Sequence, residues 1–122
     1  MNFDYNGQRH LNWSRADAEA AGIPAEVLDA AELAAARKGM QCTRLQARLA
    51  LIDAPDPSAA EDSLWDAILA YFDEPARTAA EIAYWEEART WHRTDPVLAA
   101  AATALGLDDA ALDALFADAM SR

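Results

Sequence analysis

The chain has 122 residues, about one domain's worth, and carries 10 basic against 21 acidic side chains for a net charge of −11. Such a surface repels phosphate backbones, which disfavours nucleic-acid binding and favours a basic or neutral protein partner. A single cysteine, Cys42, excludes an internal disulfide. No apolar run approaches the roughly 20 residues that span a bilayer, and Met1 to Leu11 does not resemble a signal peptide, so cytoplasmic synthesis with no membrane partner is expected.

Alanine supplies 32 residues, about half of the apolar total. It favours helix but buries little area, so the core must rest on Trp13, Trp65, Trp85, Trp91, Phe72, Phe116, Tyr71, Tyr84 and the leucines. A core this thin is often completed by a partner or by a second copy of the chain. The acid is unevenly spread: residues 40–53 carry +1, from Arg44 and Arg48 against Asp53, whereas 54–94 carry −6 and 95–122 carry −4.

In chain order, Asn6-Gly7 between segments bearing Phe3, Tyr5 and Leu11 predicts a small β-hairpin. Ser14 caps a short helix that stops at Gly22, and Ile23-Pro24 opens a second, Pro24 to Lys38, with Val27, Leu28, Ala31 and Ala35 on one stripe before Gly39. Thr43 and Gln46 form a capping box for a third helix, to Asp53, with Leu45, Leu49 and Ile52 on one face. Ala54-Pro55-Asp56-Pro57 breaks it. Ser58 and Glu61 repeat the box and open a central helix through Phe72, with Leu64, Ile68 and Tyr71 beside Trp65, Leu69 and Phe72. Asp73-Glu74-Pro75 starts the longest helix, which runs to about Arg93 through Ile82, Trp85, Ala88 and Trp91. Asp95-Pro96 begins a sixth helix that ends near Gly106. Asp108 caps a seventh, with Leu107 and Leu112 at the spacing of a hydrophobic staple. The reading is a mainly α chain: a hairpin and helix segment over 1–39, then a bundle over 40–122, giving six or seven short helices in all.

No chemistry-bearing constellation emerges, so no catalytic residue, metal or cofactor is assigned and the chain reads as a non-enzyme. His10 and His92 stand outside any metal-ligand spacing, Cys42 lacks a second cysteine nearby, and the four glycines are scattered singly. The helix-Gly106-helix corner resembles a helix-turn-helix, but its second helix offers Asp108, Asp109, Asp113 and Asp118 and no base to contact phosphate. The candidate residues are therefore partner-binding ones. They are the hairpin tip Tyr5-Asn6-Gly7 as an edge strand, the one-turn pair Arg44 and Arg48, and Trp91-His92-Arg93 at the end of the longest helix, where His92 would meet the helix dipole.

Thr43 to Leu51, Trp85 to Arg93 with Asp95-Pro96, and Ala104 to Leu107 followed by Leu112 to Phe116 resemble small tailed-phage and prophage proteins encoded beside tail genes. Tyr5-Asn6-Gly7 and Gly22 to Val27 are similar to the openings of tail-fibre-associated or tail-assembly accessory proteins. Ala54 to Pro57 departs from the glycine-containing link expected of that group. The resemblance implies a tail-associated component or assembly chaperone, acting on a tail or tail-fibre protein in the bacterial cytoplasm or in the virion, and brings no catalytic residue with it. From the charge alone comes an alternative, an acidic inhibitor that occupies a basic groove on a host nucleic-acid-binding or defence protein.

Overall fold

The computed structural model describes residues 1–57 and 59–122. It is mainly helical, with seven helices and a small N-terminal hairpin among the described residues. The chain forms two compact units, Met1–Lys38 and Gly39–Arg122.

In the first unit, β1 (Phe3–Tyr5) pairs antiparallel with β2 (Gln8–His10), in the register Phe3↔His10. Asn6 and Gly7 turn the chain with φ of 52° and 75°, the double left-handed conformation that a two-residue hairpin loop needs. Phe3 stacks on His10 at 4.9 Å, and Trp13 sets its edge against both rings. The Ser14 hydroxyl caps α1 (Arg15–Ala20), and Gly22, at φ +85°, turns the chain into α2 (Ala25–Gly39). Arg15 pairs with Glu19 within α1 at 2.9 Å and ties α1 to α2 through Asp29 and Glu32 at 2.8 Å. The buried core is Phe3, Ala18, Ile23 and Leu28; of the expected α2 stripe, Leu28 is buried, Val27 and Ala31 are half-buried and Ala35 is exposed.

The second unit is organised by a strand pair absent from the sequence expectations. β3 (Gln41–Thr43) runs antiparallel to β6 (Thr90–His92), with Cys42 opposite Trp91. Backbone bonds from Arg44 N to the Arg89 carbonyl (2.8 Å) and from Arg93 N to the Met40 carbonyl (3.0 Å) extend the pairing at both ends. Thr43 is both the last residue of β3 and the N-cap of α3 (Arg44–Asp53), with both halves of the Thr43–Gln46 capping box formed. β4 (Pro55–Asp56) and β5 (Ala59–Ser63) make a short irregular hairpin. Four helices follow: α4 (Leu64–Phe72), α5 (Ala79–Glu87), α6 (Pro96–Ala104) and α7 (Asp109–Met120).

Two helices differ from expectation in their bounds. Ser58 lies outside the described residues, and 59–63 form a strand rather than a first helical turn; the cap of α4 is Ser63, whose hydroxyl accepts from Asp66 N. The expected longest helix is α5 alone, opened by a Thr78–Glu81 capping box and closed at Ala88, which turns extended (ψ 116°) so that 90–92 can pair with β3. Thr90 and Trp91, β-branched and aromatic, suit a strand, and the inter-strand bonds outweigh the helical continuation. The longest helix is α2, with 15 residues.

The core of this unit gathers Leu64, Ile68, Tyr71 and Phe72 of α4 with Trp91, Leu98, Leu112 and Phe116, and with small residues at Cys42, Ala47, Ala50, Ala101, Ala102 and Ala119. So much alanine leaves a cavity of about 40 Å³ among Cys42, Ala47, Ala50, Trp91, Leu112 and Phe116.

Candidate protein-docking surface

At 100° per residue, α3 carries two apolar faces. One holds Ala47, Ala50 and Leu51, and these are the buried residues, packed toward α7 and α4. The opposite face holds Leu45, Leu49 and Ile52, which are 65%, 41% and 45% exposed. The stripe anticipated from the sequence exists but looks outward. Arg44 and Arg48 flank it on one edge, Gln46 and Asp53 on the other, and Asp53 is held by Arg122 at 2.8 Å. Isolated exposed leucines are ordinary; three large apolar side chains in line on one helix face make a contiguous stripe and the candidate for an interaction surface.

The arginine edge rests on two indoles. The Arg44 guanidinium lies 4.4 Å from the centroid of Trp85 and donates to the Trp85 carbonyl, and Arg48 lies 5.1 Å from that of Trp65. Trp65 and Trp85 are 5.6 Å apart, and Trp85 stacks on Phe72 at 4.5 Å and 8°. Two arginines one helical turn apart thus cover two neighbouring indoles and brace α3 against α4 and α5. Arg48 remains exposed.

Other expected contact residues have structural roles. Trp91 is 3% exposed: the alternation of β6 turns its ring into the core, 5.6 Å from Trp85, while Thr90 and His92 point out. It offers no surface for a partner, which corrects the aromatic patch expected around it. His92 is exposed on a strand and does not sit at a helix C-terminus. Arg93 is buried and spent on Asp113 at 2.7 Å and Asp109 at 3.1 Å, clamping the end of β6 to α7. In the first unit, Asn6 and Gly7 are exposed at the hairpin tip and Tyr5 is half-buried against that unit's core.

Burial pushes the Cys42 thiol above its ordinary pKa, which keeps it protonated and poorly nucleophilic at neutral pH. The Tyr84 hydroxyl is pushed up by burial first and by the charge of Asp95 second. The Trp91 indole N–H is buried without a hydrogen-bond partner, and the residue is one of those lining the apolar cavity. Among the described residues no group of three or more His, Cys, Asp or Glu side chains could hold a metal ion, and no helix is long and apolar enough to cross a membrane. No family model, curated protein or solved structure matches the chain.

Proposed function

We propose that this chain is a non-enzymatic docking protein, a phage or prophage tail-associated component or assembly chaperone, that binds a protein partner through the outer face of α3. The observation that carries the reading is the inversion on that helix: alanine turned to the core, Leu45, Leu49 and Ile52 turned to solvent. A partner that covers these side chains gains their burial at about 25 cal/mol per Å², and the arginines already stacked on Trp65 and Trp85 lose little conformational freedom in framing the contact. The tail-region assignment rests on the sequence resemblance.

The test immobilises the full chain and passes over it the purified products of the genes flanking its own. The expected result is retention of one tail-region product, reduced about tenfold or more in Leu45→Ser/Leu49→Ser, with the circular dichroism of the chain unchanged. Undiminished binding by that double variant, or no retained tail-region product, overturns the proposal.

A further inference from the structure

A second surface lies on the same unit and meets the arginine edge of the α3 face at Trp85. An open groove of about 470 Å³ runs between α4 and α5. Its apolar lining is Leu69, Phe72, Ile82 and Trp85, and its rim carries Asp73 and Glu86. Leu69 and Ile82 are 40% and 37% exposed, large aliphatic side chains left open on facing helices.

The carboxylates say what kind of partner fits. Asp73 is the C-cap of α4 and Glu86 sits in the last turn of α5, where the helix dipole presents negative charge and a cation is favoured; neither helix has a basic residue in its last turn. Arg77, four residues after Asp73, is committed to Glu74 and Glu81 and lies over the Tyr71 ring at 4.0 Å, and Arg89, three residues after Glu86, lies past the end of α5. No cation of the chain among the described residues engages Asp73 or Glu86. Two carboxylates are thus held where the fold's own electrostatics oppose them, beside unfilled apolar area, on a chain of net charge −11. A local electrostatic conflict without internal compensation is expected where a surface meets something else.

We propose that the α4/α5 groove is a second docking surface, taking a short cationic amphipathic segment of a protein partner. An apolar side chain of that segment rests on Leu69, Ile82 and Trp85, while its lysines or arginines reach Asp73 and Glu86. Its exposed aliphatic side chains and its carboxylates are distinct from Leu45, Leu49 and Ile52 of the α3 face, so a chain carrying both surfaces is a connector between two partners.

The test measures binding of three labelled synthetic peptides to the full chain by fluorescence anisotropy: a leucine–lysine amphipathic peptide, its leucine–glutamate counterpart, and a glycine–lysine peptide of equal positive charge. The expected order places the leucine–lysine peptide about tenfold or more ahead of both others. Asp73→Asn/Glu86→Gln weakens it about tenfold and flattens its salt dependence, and Ile82→Ser weakens it several-fold. The charge-matched control Asp62→Asn/Asp118→Asn, outside the groove, and Leu45→Ser/Leu49→Ser, on α3, leave it within about twofold. Equal binding of the glycine–lysine peptide, equal weakening by the control, or no binding at concentrations on the order of 1 mM overturns the proposal. Weakening by the α3 variant alone also overturns it and assigns the peptide to that face.

Discussion

Helices α3 and α4 are neighbours of similar length, each with large apolar residues at helical spacing, yet they are used in opposite senses. α4 buries its bulk, Leu64, Ile68, Tyr71 and Phe72, and exposes Leu69 at the edge of a groove. α3 buries Ala47, Ala50 and Leu51 and exposes Leu45, Leu49 and Ile52. The difference follows from what each helix packs on. Small side chains on α3 permit close approach to α7, whose own contribution there includes Ala119 beside Phe116, whereas α4 packs its large side chains among α3, α5 and α6. A helix with two apolar faces therefore has its inner face chosen by fit to the neighbour rather than by total hydrophobicity, and the face left out is free to meet a partner.

The comparison can be broken most forcefully from the α4 side. Phe72→Ala removes a ring stacked on Trp85 and edge-on to Tyr71, and should cost about 3–5 kcal/mol in urea unfolding. A loss below about 1 kcal/mol would mean that α4 is not the central helix. On α3 the sensitive change runs the other way, from small to large. Ala50→Leu should cost about 1–3 kcal/mol, because the adjoining cavity of about 40 Å³ is too small to take the added carbons without displacing α7. A stabilised variant would show that the α3 to α7 contact is loose.

Two groups of this unit, Cys42 on β3 and the half-buried Tyr84 on α5, report on its packing through pH. Cys42 and Tyr84 both have pKa values raised in the folded chain, so the native state holds its protons at a pH where the unfolded state has begun to lose them. Their contribution is complete below the unfolded values, about 8.5 for the thiol and about 10 for the phenol, and declines as pH rises through that range. The urea midpoint should fall between about pH 8 and pH 10.5, and by less in Cys42→Val. A midpoint that rises over this range would contradict the burial of both groups.

Local signals carried much of the fold into the sequence. Asn6-Gly7 specified the hairpin, and Ser14, Thr43, Asp95 and Asp108 specified helix starts, because caps and turns depend on a few adjacent residues. What was not legible depended on distant partners. The β3–β6 pair joins residues almost fifty positions apart; its only local trace is the polar–apolar–polar pattern of Gln41-Cys42-Thr43 and Thr90-Trp91-His92. Missing it prolonged α5 to Arg93 and placed Trp91 on a surface. Thr78-Ala79-Ala80-Glu81 was a readable capping box, overshadowed by the proline at 75. Of the expected contact residues, Arg44 and Arg48 stand out in the sequence as the basic segment, but their indole partners lie on other elements and could not be read from it. The outward turn of Leu45, Leu49 and Ile52 could not be read from α3 alone, because its period fits both faces.

Urea unfolding of Leu45→Ser/Leu49→Ser/Ile52→Ser beside the unaltered chain decides whether this stripe is part of the packed fold or faces outward, free for docking. An outward stripe predicts a stability change of at most about 1–2 kcal/mol for all three substitutions together, with an unaltered m-value. A loss of more than about 5 kcal/mol, as for side chains removed from a packed interior, would place the stripe in the core and contradict the account.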